Sequence, residues 1–199
     1  MKTSIVTIAI ALSTVFGISK SGFAATASKE EATTLTEVSR INKIIVQGNV
    51  ELYVSDGITD NVKVYNHYYA ESALVQDQKG VLRISSYTDQ KLVVWVTVSD
   101  LSTMTLYDNA VVKSFGKLSA IDLDIQLHDN ASAQLTMDVY SANITLKDHA
   151  KADLAGDITE VELHDDQTTF LNTTNLTAIH LVKKASRPEG IVAGELASL

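Results

Sequence analysis

The 199-residue chain has no cysteine, one proline and only 6% aromatic residues. Without cysteine there are no disulfide scaffolds, thiol nucleophiles, thiolate zinc sites, iron–sulfur clusters or lipids attached at cysteine. Basic side chains are also few, 16 against 24 acidic ones, which gives a formal net charge of −8. A nucleic-acid binder needs a basic footprint for the phosphates, so the acidic balance argues against that class. No nucleophile elbow, glycine-rich phosphate loop or zinc motif is present. What remains is 45% hydrophobic and 20% charged, the balance of a globular chain of one ordinary domain or two small ones.

Met1 and Lys2 precede an apolar run of 14 residues from Ile5 to Ile18, followed by small residues through Ala27. A spanning helix needs ~20 residues, so the pattern is that of a cleaved secretory signal over residues 1–24. Cleavage after Ala24, with Gly22 at −3, and cleavage after Ala27, with Ala25 at −3, both fit. The first removes Lys2 and Lys20 and leaves 14 basic against 24 acidic residues, a net charge of −10. The mature protein is therefore expected in the periplasm, at the cell surface or in the medium, with no membrane span.

Residues 25–39, rich in Thr, Ser, Ala and Glu, read as a flexible leader. From Ile41 the hydrophobic period is two: Val50, Leu52 and Val54, then Val62 and Val64, then Leu82 and Ile84. Leu92 to Val98 is almost continuously apolar, the pattern of a strand buried on both faces. Asp56-Gly57, Asp60-Asn61 and Lys79-Gly80 supply turn chemistry between runs. No segment sustains helical spacing, so the domain is all-β.

A repeat follows. Leu106-Tyr-Asp-Asn-Ala110 recurs as Leu127-His-Asp-Asn-Ala131, Leu146-Lys-Asp-His-Ala150 and Leu163-His-Asp-Asp-Gln167, at spacings of 21, 19 and 17 residues. Units near 20 residues containing short strands predict coils stacked along an axis, a parallel solenoid in which Leu106, Leu127, Leu146 and Leu163 stack as an interior ladder. An antiparallel sandwich with chance similarity between hairpins is the alternative.

These strand–turn units, with Arg40-Ile-Asn-Lys-Ile-Ile-Val-Gln-Gly-Asn-Val-Glu-Leu-Tyr-Val54 and Gly80-Val-Leu-Arg-Ile84, resemble the putative autotransporter adhesin, head GIN domain family. The resemblance covers residues 40–182 and leaves residues 183–199 as a C-terminal cap or tail. It implies a secreted or cell-envelope bacterial protein with a right-handed, pectin-lyase-like parallel β-helix and a role in adhesion; on its own residues the chain is expected to act by binding, without catalysis or cofactor. The family's corners are commonly Gly-Ser-Gly, where this chain has Asp108-Asn109-Ala110, Asp129-Asn130-Ala131 and Asp148-His149-Ala150.

Stacked units would bring Asp108, Asp129, Asp148 and Asp165 into one column beside Asn109, Asn130, His149 and Asp166. Adjacent carboxylates repel by roughly 1 kcal/mol or more at intermediate dielectric. Turn amides, Lys147 or Lys151, or a bound calcium ion would have to offset that. His128 and His164 occupy one motif position and are expected outward, too far apart for a shared metal; His180 is also expected outward. Tyr65, His67, Tyr68 and Tyr69, with Asn66, form an aromatic cluster that suits sugar stacking or a protein contact, or else caps one end of the fold. The expected partner is an envelope protein or a glycan, and self-association is open. A polysaccharide lyase or hydrolase is the alternative function, although the repeat shows no inserted loops to build a cleft.

Overall fold

Alternating apolar and polar residues give almost every strand one face to bury, and valine, isoleucine and leucine supply most of that face. A computed structural model describes residues 32–35, 38, 40–65, 73–166 and 168–185. The signal segment 1–24, His67, Tyr68, Tyr69 and the tail from 186 onward lie outside the described residues. The strands are β1 (Ala32–Thr34), β2 (Lys43–Gly48), β3 (Val50–Asp56), β4 (Asn61–Tyr65), β5 (Ala73–Gln78) and β6 (Val81–Ser86). They continue with β7 (Leu92–Val98), β8 (Thr103–Leu106), β9 (Val111–Leu127), β10 (Ser132–Leu146), β11 (Lys151–Asp165) and β12 (Phe170–Ala185). Strand β1 falls within the stretch read as a leader, and β12 continues past residue 182.

All twelve strands join one mixed sheet, curved as a half-barrel. The long strands β9 to β12 pair in parallel. The first part of β9 carries β3, which pairs β7 in parallel, while β4 and then β1 follow antiparallel. Its last part carries β8 and β2, then β6, with β5 antiparallel at the margin. This arrangement overturns the expected right-handed parallel β-helix. The reason is local: Lys79 (φ 52°) and Gly80 (φ 79°) are both left-handed, as a two-residue type I′ hairpin turn requires. That turn folds β5 back on β6, and the short Asp56–Asn61 connection precedes β4, which pairs antiparallel with β7.

Strand β10 shows how the curvature is built. Leu135, Met137 and Val139 are buried, then Tyr140 and Ser141 both face outward, then Ala142, Ile144 and Leu146 are buried. One extra outward residue would flip the following side chains on a straight strand. A bend at Tyr140 instead returns them to the same core. At the bend Tyr140 lies between Ile121 on β9 and Thr159 on β11, and Ile121 is exposed like Tyr140.

Leu106, Leu127 and Leu146 do pair in register and are fully buried. The fourth unit does not continue that ladder: Leu163 pairs with Ile144, and Asp165 stands opposite Leu146. The described core contains no aromatic ring and only two polar side chains, Ser86 and Thr105.

Candidate functional site

Two clusters of polar and aromatic side chains emerge from this register. The first is the row of turns. Ala110, Ala131 and Ala150 donate back to the carbonyls of Tyr107, His128 and Lys147, closing tight turns in which Asp108, Asp129 and Asp148 take φ of 59°, 59° and 60°. Glycine is the usual residue at such angles; aspartate tolerates them. The Gly48 amide donates to Asp108 Oδ2 (3.0 Å), the Asp108 amide to Asp129 Oδ2 (3.0 Å), the Asp129 amide to Asp148 Oδ2 (3.2 Å) and the Asp148 amide to Asp166 Oδ2 (2.8 Å). The carboxylate repulsion anticipated from the sequence is thus met by backbone N–H groups. The last carboxylate in the column belongs to Asp166, while Asp165 pairs with Lys183 at 3.0 Å. Partial burial works to raise the Asp166 carboxyl. Hydrogen bonds from the Thr168 hydroxyl and amide and from the Asp148 amide, with His149 nearby, outweigh it and hold that carboxyl below its ordinary value.

Asn109 and Asn130 are exposed beside this column, as is His149, whose amide donates to the Asp129 carbonyl at 2.8 Å. His128 is half-buried, contrary to expectation, and stacks on Tyr107 with centroids 4.8 Å apart. Burial and the Lys147 ammonium push its imidazole below the ordinary value, against weaker opposing effects of Asp129 and Asp148. His164 pairs with Thr145 and contacts Glu162, so it does not share the His128 row. His180 is exposed. Among the described residues no three His, Asp or Glu side chains converge as a metal-ligand set. Beside the first turn lies an open hollow of about 630 Å³, lined in part by Tyr87, Thr88, Asp89 and Asp108.

The second cluster is on the outer face of β4, β7, β3 and β9. Strand β7 buries only one face: Val94, Val96 and Val98 point in, and Val93, Trp95 and Thr97 point out, which corrects the two-sided burial expected from its apolar run. Register places Lys63, Trp95, Tyr53 and Lys113 in one row across four adjacent strands. Tyr53 and Trp95 stack at 4.7 Å and 20°, Tyr65 meets Trp95 edge-on at 6.2 Å, and Phe115 tilts over it at 5.6 Å. Phe115 is 66% exposed. Glu51 organises the margin, accepting from Lys113 Nζ (2.7 Å) and the Tyr53 hydroxyl (2.8 Å), with Lys91 Nζ at 3.6 Å. The Lys113 bond lowers the Glu51 carboxyl most; burial opposes it, and Tyr53 and Lys91 add to the lowering.

Residues 40–186 match the model of the putative auto-transporter adhesin, head GIN domain. The chain belongs to that family. Among solved structures, a putative adhesin from Bacteroides fragilis superposes with TM-score 0.66 at 17% identity, covering 78% of this chain and 77% of that one. A putative adhesin from Parabacteroides distasonis gives 0.59 at 14% identity, covering 79% of each chain. A putative lipid binding protein from the same species gives 0.57 at 8% identity, covering 78% of each. At these identities the likeness is one of fold. No curated protein matches.

Within this head GIN domain, sequence reasoning reached Tyr65 but missed Tyr53, Trp95 and Phe115. Alternation marks Tyr53 as outward, yet only the register of three distant strands brings the rings together. The available signal was the chain's single tryptophan, at an outward position of a strand whose inward set is valine.

Proposed function

We propose that the protein is an exported, adhesin-like binding module that acts without catalysis or metal, and that its contact surface is the aromatic ridge around Trp95. The observation that carries the reading is the exposure of Phe115 over the stacked Tyr53–Trp95 pair, on a sheet whose core uses no ring. Aromatic anchors on a rigid, ordered surface are the usual centres of binding energy. Family membership and the signal-like N-terminus support export and adhesion. Against a carbohydrate-active enzyme stands the engagement of the acidic column: each turn carboxylate from Asp108 to Asp166 already accepts a backbone amide. An envelope protein and a glycan are both within reach of such a ridge.

The test is binding of the folded chain to envelope extracts and to a glycan array, compared with Trp95→Ala and Phe115→Ala. Phe115→Ala should melt within a few degrees of the parent, Trp95→Ala should melt lower because it loses contacts with three rings yet stay folded at the assay temperature, and both should lose about tenfold or more in binding. Undiminished binding by both would overturn the assignment, as would shortening of any bound polysaccharide. Calcium or chelator should leave binding unchanged.

A further inference from the structure

Resting on that reading, we infer that the ridge binds a carboxylated glycan, an oligosaccharide containing uronate or similarly acidic sugars. Three features of the outer face carry the inference. The row Lys63–Trp95–Tyr53–Lys113 puts an ammonium at each end of two stacked rings, over about 14 Å at the ordinary strand spacing. Lys91 and Lys113 both pair with Glu51, and Lys63 stands across Trp95 in the same row, so the described outer residues of these strands carry three lysines against one carboxylate on a chain of net charge −8. Beside the rings runs a row of neutral hydrogen-bonding groups: Asn61 pairs Thr97 and Thr97 pairs Ser55, whose hydroxyls lie 3.3 Å apart.

Each feature answers to a part of an acidic sugar. The faces and edges of Phe115 and Trp95 offer apolar contact to the C–H side of a pyranose. Ser55, Thr97 and Asn61 offer donors and acceptors to its hydroxyls, as does the Glu51 carboxylate. Lys63 and Lys113 meet carboxylates at the ends, and Lys113 has donors left after its bond to Glu51. An acidic peptide would use the lysines and rings but could meet the hydroxyl row only with its backbone amides, where a pyranose presents several hydroxyls on one ring. A single-stranded nucleic acid would use the same stacking and charge.

Trp95 is the only tryptophan, so its fluorescence reports on the site directly. The full chain is titrated with oligogalacturonate, with its carboxyl-reduced neutral counterpart, with an oligoglutamate peptide and with oligothymidylate. A saturable change with oligogalacturonate is expected, at least about tenfold tighter than with the neutral counterpart. Lys63→Gln should weaken it severalfold while leaving the unfolding midpoint unchanged, since Lys63 is exposed. Equal binding of the neutral sugar would overturn the acidic-glycan inference and leave the adhesin-like reading intact. Preference for the peptide or the oligonucleotide would overturn it in favour of that ligand class. No response to any of the four overturns it too. In that case the envelope-binding comparison of Trp95→Ala with the parent decides whether the wider reading falls with it.

Discussion

Asp129 sits in the middle of the turn column, which makes its replacement a direct test of what the acidic corners do. Its carboxylate accepts the Asp108 amide at 3.0 Å, its own amide donates to Asp148, and its backbone is left-handed at φ 59°. Asp129→Ala removes the acceptor and leaves a Cβ at an angle that alanine disfavours. The site is exposed, so water can take the orphaned amide, and the lost bond is worth about 1 kcal/mol instead of the full burial penalty. The backbone cost adds about 1 kcal/mol, for a total of about 2 kcal/mol. Asp129→Gly loses the same bond but relieves the backbone, and should cost about 1 kcal/mol. Asp129→Asn keeps an oxygen acceptor and should cost about 0.5 kcal/mol.

The measurement is reversible unfolding of the four chains by urea and by heat. The expected order is Asp, Asn, Gly, Ala, with alanine melting about 4–8 °C below the parent. An alanine variant as stable as the parent, or a glycine variant worse than alanine, would refute the amide-acceptor account. Calcium adds a second check. Carboxylates already engaged by amides predict the same melting temperature with calcium and with chelator, whereas a metal-bound column would lose stability in chelator.

Gly156 and Gly116 form a second contrast, because both have positive φ, 104° and 85°. A Cβ at Gly156 would meet the Met137 carbonyl oxygen at 2.0 Å across the β10–β11 ladder, while Gly116 has nothing within 4 Å. Gly116→Ala should cost about 1 kcal/mol, the backbone effect alone; Gly156→Ala should cost at least about 3 kcal/mol or abolish folding, since opposed ladder bonds must part as well. Equal unfolding midpoints would refute this. Acid titration makes a third test. His128 is held below its ordinary value of 6.5, so the unfolded chain takes up the proton first and stability falls as pH drops from 6.5 towards the folded value. Glu51 is held below 4.5, so stability present above 4.5 is lost as pH falls through its folded value. Melting temperature against pH should show both losses; His128→Phe should remove the first and Glu51→Gln reduce the second.

Strand positions and inward residues were legible in the sequence because alternation is a local property. Val50, Leu52 and Val54 point inward wherever β3 lies in the sheet. Pairing partners were not legible. The fourth Leu-x-Asp matched by letters, yet β11 keeps the 19-residue offset that pairs β9 with β10, which sets Asp165 against Leu146 and moves the bridging carboxylate to Asp166. Hydrogen-bond register, counted along the ladder, overrode motif similarity. The mixed sheet was hidden for a related reason. Lys79-Gly80 is readable as a turn, but that both residues are left-handed, and so close an antiparallel hairpin, emerges only from the backbone. The ridge is the extreme case, since Tyr53, Trp95 and Phe115 are brought together solely by β3 lying between β7 and β9.

The distribution of charge ties the two clusters together. An acidic chain would be expected to repel an acidic ligand everywhere on its surface. Here five of the 24 acidic side chains are held by backbone: the carboxylates of Asp108, Asp129, Asp148 and Asp166 each accept an amide, and Asp56 accepts the Ser119 amide at 2.6 Å. Opposing groups lie close to these carboxylates, while solvent screens their field over about 8–10 Å at physiological salt. The outer face of β4, β7, β3 and β9 is therefore governed by its own groups, three lysines against Glu51. Glu51 in turn keeps Lys113 beside the Tyr53 ring, 5.6 Å from its centroid. Removing Glu51 would raise the local positive charge yet release Lys113 from its position. For a ligand read by simple charge, Glu51→Gln should tighten binding; for one read by placed ammonium groups beside aromatic rings, it should weaken it. The geometry of the Lys113–Glu51–Tyr53 triad predicts weakening, and tighter binding of oligogalacturonate by Glu51→Gln would show that the lysines act only as a diffuse field.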